Sequence, residues 1–220
     1  MDRITLLTQQ AVTVALDLLF PPHCVHCERV GSFLCARCLA ELTPASGREA
    51  RGLDGARVRA DFAGPVRSAI HAFKYDRQLR LVGPLGDLLC QALSDTDWAV
   101  DLVVPVPLHA TRLRERGYNQ AALLARQVAQ TRGWAFAHDA VRRVRETASQ
   151  VDLNAQERRA NVDGAFVADS SAVARRHVLV VDDVLTTGAT MSACADALRA
   201  AGAACVYGAA VAGAVGHHDS

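Results

Sequence analysis

Residues 177–193, HVLVVDDVLTTGATMSA, join an apolar run directly to two neighbouring aspartates and a loop of threonine, glycine and alanine. Residues 178–181 are short, continuous and mostly β-branched, which is typical of a strand buried on both faces of a parallel sheet. Beyond the loop, apolar residues recur at helical spacing from Cys194 to Ala201, and Gly202 is a natural helix end. The pattern predicts a strand, a loop and a helix, and ligands of open parallel sheets bind at this carboxyl end of the strands.

The loop at residues 185–190 has the composition of an anion site. Its backbone N–H groups and threonine hydroxyls can donate to a phosphate at the positive end of the following helix. Asp182 and Asp183 only accept hydrogen bonds at neutral pH, so they are unsuited to that phosphate. They suit paired donors, such as the two vicinal hydroxyls of a ribose. A phosphate beside a diol describes a ribose 5-phosphate.

Other ligand sites also place acids after an apolar strand, but each needs a partner that this sequence lacks. A P-loop NTPase requires GxxxxGK[ST] and a dinucleotide-binding fold requires GxGxxG, and neither motif occurs. A phospho-accepting aspartate domain requires a later lysine, and none follows Asp183. An ordinary buried strand with a helix-capping turn stays open as an alternative, although capping explains one aspartate and not two.

The stretch VLVVDDVLTTGAT resembles the phosphoribosyl diphosphate (PRPP) binding motif of type I phosphoribosyltransferases. The resemblance implies that Asp182 and Asp183 hold the ribose hydroxyls of PRPP, which binds together with Mg²⁺. It also implies that the 5-phosphate is bound by the loop residues Thr186, Thr187, Gly188, Ala189 and Thr190.

Length and composition indicate a globular protein. The 220 residues are enough for one substantial core and one small appendage. Half of the residues are hydrophobic and 21% are charged, which excludes a disordered chain. The net charge of +1 gives no overall drive toward nucleic acid or a membrane, although arginines are concentrated in the middle of the chain.

The start of the chain is predicted to be an amphipathic helix rather than a secretory signal. Asp2 comes early, a polar Thr-Gln-Gln interrupts the apolar run, and no small-residue cleavage site follows. No stretch reaches the roughly 18 apolar residues of a membrane span. We therefore expect no membrane span and a cytoplasmic location.

Four of the seven cysteines form two CxxC pairs, CVHC at Cys24 and Cys27 and CARC at Cys35 and Cys38. Two such pairs joined by a short hairpin, with Gly31 at the turn, can bring four thiolates onto one tetrahedral zinc ion. Such a site has no open position for water, so we expect structural rather than catalytic Zn²⁺. Disulfides are the alternative, which a reducing compartment disfavours.

The remaining pattern predicts the domain organisation. Residues 1–45 form an N-terminal helix and the zinc module, residues 46–56 a linker rich in glycine and small residues, and residues 57–220 an α/β domain. Strands are predicted at residues 57–62, 101–106, 140–144 and 178–181, with an edge strand at 206–211. Helices are predicted at residues 65–73, 86–93 and 119–132.

The segment VVPVPLHATRLRERGYNQ, residues 103–120, carries three alternating arginines between a strand and the next helix. Arg112, Arg114 and Arg116 would reach the same sheet edge as the phosphate loop, where guanidinium groups can bind a pyrophosphate by bidentate hydrogen bonds. A solvated helix start is the alternative. Arginines there would oppose the helix dipole, which disfavours it.

Two further features point to the same site. Lys74 is the only lysine among 24 basic residues, which hints at a role for its compact ammonium, with simple solvent exposure as the alternative. Residues 142–164 are polar over a length that is typical of a lid or binding loop. Arg145, Thr147 and Gln150 are its candidate ligand-binding residues, and a surface helix at residues 154–159 is the alternative.

Together these motifs resemble the competence protein F (ComF) family, whose members join a four-cysteine module to a phosphoribosyltransferase domain. The resemblance covers the CxxC pairs, HAFKYD, PVPLHATRLRERGYNQ, RETASQ with ERRANV and GAF, and VVDDVLTTGAT. It implies a type I phosphoribosyltransferase-like parallel sheet flanked by helices. It also implies that PLHATR is the pyrophosphate loop, that RETASQ begins a flexible loop, and that the protein is associated with DNA uptake in natural transformation.

Two functions follow as hypotheses. In the first, an enzyme binds PRPP with Mg²⁺, Arg112, Arg116 and Lys74 assist departure of pyrophosphate, and an acceptor attacks the anomeric carbon. In the second, a non-enzymatic module holds single-stranded DNA for the DNA-uptake machinery. Aromatic residues are only 5% of the chain, so backbone contacts would dominate DNA binding. The acceptor and the oligomeric state are left open.

Overall fold

The computed structural model of the protein describes residues 21–45, 50–145 and 164–214. Their strands are β1 (Gly55–Asp61), β2 (Leu102–Pro105), β3 (Ala135–Phe136), β4 (Val141–Arg143), β5 (Phe166–Ala168), β6 (His177–Leu185) and β7 (Cys205–Gly213). Their helices are α1 (Ala36–Ala40), α2 (Gly64–Tyr75), α3 (Val82–Ala92), α4 (Ala110–Arg116), α5 (Gln120–Arg132), α6 (Ser170–Val173) and α7 (Ala189–Ala200), with a 3₁₀ turn at Leu79–Leu81. The helices predicted at residues 1–20 and 154–159 lie outside the described residues.

A parallel five-stranded sheet with the order β1-β7-β6-β2-β3 forms the centre of the fold. Two neighbouring strands position the site: Leu102 of β2 pairs with Val178 of β6, and Pro105 pairs with Val181. Since both strands are parallel and in this register, the residues that follow β2 lie beside the two aspartates of β6. The prediction of a parallel α/β sheet flanked by helices is confirmed.

Strand β6 is buried on both faces, as its continuous apolar run predicted, because residues 178–181 have no accessible surface. The strand extends through both aspartates to Leu185 and does not end before them. Side chains alternate along a strand, so Asp183 shares the face of Val181 and Asp182 the face of Val180. The two carboxylates therefore leave the sheet on opposite faces.

The helices cover both faces of the sheet. Buried residues of α2, α3 and α5 pack with Leu179 and Val181 on one face. Buried residues of α6 and α7 pack with Val178 and Val180 on the other, together with the hairpin of β4 and β5. Among the described helices, none is long and apolar enough to cross a membrane.

Two strand predictions are wrong in position. Strand β7 is not an edge strand, because β1 pairs with it on the side away from β6. The strand predicted at residues 140–144 does not join the main sheet: β4 pairs antiparallel with β5. Val141 and Phe166 of this hairpin are buried against the α7 face, so packing over the sheet replaces pairing within it.

Helix α3 begins at Val82 and not at Gly86, where the sequence predicted its start, because Pro84 is tolerated in a first helical turn.

The cysteine-containing segment packs against the α2 face of the sheet. Cys24, Leu34, Cys38 and Leu42 belong to the same buried cluster as the core residues of α2. The chain then runs along β1, where the N–H of Asp61 donates to the carbonyl of residue 43 at 2.9 Å. The predicted division of the chain at residues 45 and 57 stays a prediction.

Candidate functional site

A cleft of about 690 Å³ opens at the carboxyl end of the sheet. It lies between the ends of β2 and β6, the starts of α5 and α7, the last turn of α2, and α4. The predicted site residues that line it are Lys74, Arg112, Arg116, Asp182, Asp183, Thr186, Gly188, Ala189 and Thr190. Residues that the sequence separates widely are thus brought to one cavity.

Of the other four predicted ligand-binding residues, two are absent from the described lining of the cleft and two lie outside the described residues. Thr187 is not among the described residues that line the cleft, and its hydroxyl instead accepts a hydrogen bond from the N–H of Ala189 at 3.4 Å. Arg145 is the exposed last residue of the described segment 50–145 and is not among the residues that line the cleft. Thr147 and Gln150 lie outside the described residues.

Asp183 and Lys74 form an ion pair at the floor of the cleft, with 2.7 Å between Lys74 Nζ and Asp183 Oδ1. The side chain of Asp183 is 8% exposed and that of Lys74 is 20% exposed. A carboxylate this buried requires a partner, because an unpaired buried charge is strongly unfavourable. Lys74 lies in the last turn of α2 and is not a generic surface lysine.

Asp182 is partly exposed to the cleft, and its Oδ1 accepts the backbone N–H of Asp183 at 2.8 Å. Burial and, after it, the neighbouring charge of Asp183 raise the pKa of Asp182 to about 7, although Lys74, the backbone N–H of Asp183 and Arg116 partly oppose the rise. One of the two acids therefore changes its charge near neutral pH.

We expect Asp182→Asn to raise the free energy of unfolding at pH 8, by at most about 4 kcal/mol, and to leave it unchanged below about pH 4. Between the ordinary carboxyl value of 3.8 and about 7, the folded wild type keeps a proton that the unfolded chain has lost. Wild-type stability therefore falls as pH rises through this window, and asparagine removes that loss. Urea unfolding of both proteins at pH 4, 6 and 8 measures the difference, and a constant difference across this range would contradict the prediction.

The arginine segment is helical, which corrects its prediction as a loop. Pro107 follows the end of β2, the Nδ1 of His109 accepts the N–H of Thr111 at 3.3 Å to cap α4, and Gly117 ends it at φ 81°. The dipole argument was also wrong, because Arg114 and Arg116 lie in the last turn of α4, where the dipole favours cations.

Only two of the three arginines face the cleft. Arg112 and Arg116 are four residues apart and so share one face of α4, and both line the cavity. Arg114 is not among the described lining residues, and its Nη2 instead donates to the Oγ1 of Thr111 at 3.3 Å. Arg114 is therefore a matched control for its two neighbours.

Sequence reasoning missed Tyr75 and Gln120, which both contact Arg116 in the cleft. The Arg116 guanidinium lies over the ring of Tyr75 at 5.1 Å, and its Nη1 donates to the Oε1 of Gln120 at 3.0 Å. Lys74 and Tyr75 follow each other at the end of α2, so the motif that flagged one could have flagged the other.

Arg143 of β4 also lines the cleft, on the α7 side. Burial, followed by the nearby charge of Arg112, lowers the pKa of its guanidinium. Its aromatic neighbour is Phe166, with the guanidinium 5.6 Å from the ring centroid. Cations thus surround the cleft from several elements, which suits a ligand with more than one negative charge.

The loop between β6 and α7 needs glycine at position 188. Gly188 has φ 75°, a backbone conformation that residues other than glycine rarely adopt. A Cβ there would lie 3.0 Å from the Cβ of Ala50. The backbone can therefore turn tightly into α7, whose first N–H groups lie at the cleft.

The sulfur atoms of Cys24, Cys27, Cys35 and Cys38 all lie within 4.8 Å of one another. Cys24 and Cys38 are 3.7 Å apart at sulfur, and Cys27 and Cys35 are 3.6 Å apart. Four thiolates at about 2.3 Å from one tetrahedral zinc would be separated by about 3.8 Å, so this cluster fits a zinc ion. All four cysteines are free, so no disulfide joins the pairs.

We expect the purified protein to carry about one equivalent of zinc, and Cys38→Ser to carry less than half an equivalent. Cys38 is buried in the cluster that also contains the core of α2, so the variant should also lose thermal stability. Elemental analysis and thermal unfolding measure both effects. Cys90→Ser, outside the sulfur cluster, is the control, and unchanged zinc content in Cys38→Ser would refute the assignment.

Residues 115–217 match the phosphoribosyl transferase domain family. The chain is 32% identical over 197 residues to competence protein F of Haemophilus influenzae. This match covers 82% of the present chain and 80% of that protein. It is also 36% identical over 152 residues to DNA utilization protein YhgH of Escherichia coli (strain K12). That match covers 67% of the present chain and 66% of that protein.

Solved structures to which the chain is similar include the glutamine PRPP amidotransferase from B. subtilis, with TM-score 0.44 and 18% identity, over 64% of this chain and 30% of that one. Another is the adenine phosphoribosyltransferase from Thermoanaerobacter pseudethanolicus, with TM-score 0.36 and 20% identity. This match covers 61% of this chain and 66% of that one.

The parallel sheet and the domain match define a type I phosphoribosyltransferase-like protein with an N-terminal four-cysteine cluster. The chain belongs to the competence protein F family. The resemblance to this family and its type I phosphoribosyltransferase-like domain, which the sequence motifs indicated, is thereby confirmed.

Proposed function

We propose that the protein binds PRPP with Mg²⁺ in the cleft and transfers the phosphoribosyl group to an acceptor, with release of pyrophosphate. The observation that carries this proposal is the composition of one cavity. It combines Asp182 and Asp183, the small-residue start of α7, and Arg112 and Arg116. Together these provide acceptors for a diol and donors for two separate phosphate groups.

The ribose and its 5-phosphate bind at the junction of β6 and α7. The backbone N–H groups that follow Thr186 hold the phosphate, since the helix start favours an anion. The carboxylates of Asp182 and Asp183 accept the ribose hydroxyls. Lys74 holds the side chain of Asp183 in place through their 2.7 Å contact. Asp182 must be ionised for this role, so PRPP affinity should rise with pH up to about 7.

Oxygen atoms are the ligands that Mg²⁺ prefers, and the acidic end of β6 together with the ligand's phosphates supplies them. When bound, Mg²⁺ neutralises part of the diphosphate charge. Arg112 and Arg116 stabilise the charge that develops as the bond between the anomeric carbon and the diphosphate oxygen breaks. The acceptor forms its bond to the same carbon, and no nucleophile of the protein is required.

The segment that begins at Arg145 and includes Thr147 and Gln150 is proposed as the loop that closes over the bound phosphates. A location in the cytoplasm is part of the same proposal, because a reducing compartment keeps the four thiols available for zinc.

The test is calorimetry of the purified full chain with PRPP and Mg²⁺, followed by a pyrophosphate-release assay across bases, amines and ammonia. Saturable PRPP binding and release with at least one acceptor class would support the enzyme. An absence of PRPP binding would overturn the proposal. Binding without release from any acceptor would favour a second candidate.

That second candidate is a non-enzymatic protein that binds single-stranded DNA in DNA uptake. The names of the relatives, competence protein F and DNA utilization protein YhgH, favour it. PRPP would then be a ligand or regulator, and arginines would pair with DNA phosphates.

A further inference from the structure

Gln120 is almost completely buried at the wall of the cleft. Its side chain is 2% exposed, and it is the first residue of α5, directly after the capping residue Asn119. Its Oε1 accepts a hydrogen bond from Arg116 at 3.0 Å. Its Nε2 is buried and has no hydrogen-bond partner among the described residues. A buried amide donor without a partner is unfavourable, which indicates a missing acceptor.

The orientation of this amide is determined by its neighbour. A guanidinium only donates hydrogen bonds, so the carbonyl oxygen of Gln120 must face Arg116. If the amide were flipped, the N–H donors of Nε2 would face the N–H donor of Arg116, and the carbonyl oxygen would lose its hydrogen bond. The N–H groups of Nε2 are therefore directed away from Arg116.

Gln120 lines the cleft together with Arg116 and Asp182, so a ligand bound in the cleft is the candidate source of the acceptor that Nε2 lacks. Asn119 ties the start of α5 to the end of β2, since its Nδ2 donates to the carbonyl of Val106 at 3.0 Å. Because β2 pairs with β6, this helix start lies beside the aspartates. The positive end of the thirteen-residue helix α5 thus adds to the charge of Arg116.

We propose that Gln120 Nε2 donates a hydrogen bond to a diphosphate group bound at the start of α5. This subsite is separate from the monophosphate subsite at the start of α7, and the proposal rests on the proposed function. Gln120 then links two tasks: its oxygen holds Arg116 and its nitrogen binds the ligand. The cleft distinguishes a sugar diphosphate from a sugar monophosphate partly through this amide.

Gln120→Glu tests the proposal, because it keeps an acceptor for Arg116 and replaces the free donor by a negatively charged acceptor. Calorimetry in Mg²⁺ is run with PRPP, inorganic pyrophosphate and ribose 5-phosphate. We expect affinity for the first two to fall about tenfold or more, and affinity for ribose 5-phosphate to change less than about twofold. Gln130→Glu, exposed on the same helix, makes the same charge change and should alter none of the three affinities.

Gln120→Met removes the donor without adding a charge, and it serves as the second variant if glutamate prevents folding. It should reproduce the selective loss for the two diphosphate ligands. Equal losses for all three ligands, or unchanged affinities in folded variants, would overturn the role of Gln120 alone. A wild type that binds neither PRPP nor pyrophosphate would instead overturn the proposed function on which the inference rests.

Discussion

Replacing Asp182 and Asp183 together by asparagine is expected to lower PRPP affinity at least about a hundredfold while the protein stays folded. Each carboxylate is proposed to accept ribose hydroxyls, and an amide offers one acceptor in place of two. Hydrogen bonds to charged groups contribute about 1.5–3 kcal/mol each, so losing two of them gives an effect of this size.

The fold should survive this double substitution because its two effects on stability oppose each other. Asp183→Asn leaves the partly buried Lys74 without its partner at 2.7 Å, which is destabilising. Asp182→Asn removes a carboxylate whose pKa is raised to about 7, which is stabilising increasingly as pH rises from about 4 and fully so above about pH 7.

Calorimetry with PRPP and Mg²⁺ measures the loss, and circular dichroism verifies the fold. The double variant Asp95→Asn with Asp97→Asn is the matched control, because it removes the same charge at exposed positions outside the cleft lining. Unchanged PRPP affinity in the folded Asp182 and Asp183 variant would assign the two acids to structure alone.

Arg112→Ala and Arg116→Ala are each expected to reduce turnover by roughly a hundredfold, with a smaller effect on PRPP affinity. The negative charge of the departing pyrophosphate is most developed as the bond breaks, so a cation in contact with it matters most at that stage. Arg114→Ala is the control, since it removes the same charge from α4 without changing the described lining of the cleft.

The same three variants distinguish the enzyme from the DNA-binding protein. If these arginines contact DNA phosphates, their loss should weaken single-stranded DNA binding irrespective of sequence. The slope of the logarithm of the binding constant against the logarithm of salt concentration should become shallower by about one unit per lost contact. Weakened DNA binding with intact PRPP affinity, and no pyrophosphate released by wild type, would reject the enzyme.

Features that depend on neighbouring residues were predictable from the chain alone. The apolar run of β6 requires burial, and the small residues after it permit the tight turn at Gly188. The two CxxC spacings predicted a cluster of four thiols because each pair places its sulfur atoms close together locally. Such patterns are informative because the interactions behind them span only a few residues.

Features that depend on packing between distant segments were not predictable in this way. Neither Lys74 nor Asp183 carries a local signal of their pairing, which follows from α2 lying on one face of β6. Whether β7 is an edge strand depends on whether β1 pairs with it. Strand β4 pairs with β5 outside the main sheet, because packing of this hairpin on the α7 face competes with pairing in the sheet. The Nε2 of Gln120 is left without a partner among the described residues only when α4, α5 and β6 are assembled, because burial and hydrogen-bond satisfaction are properties of the folded chain.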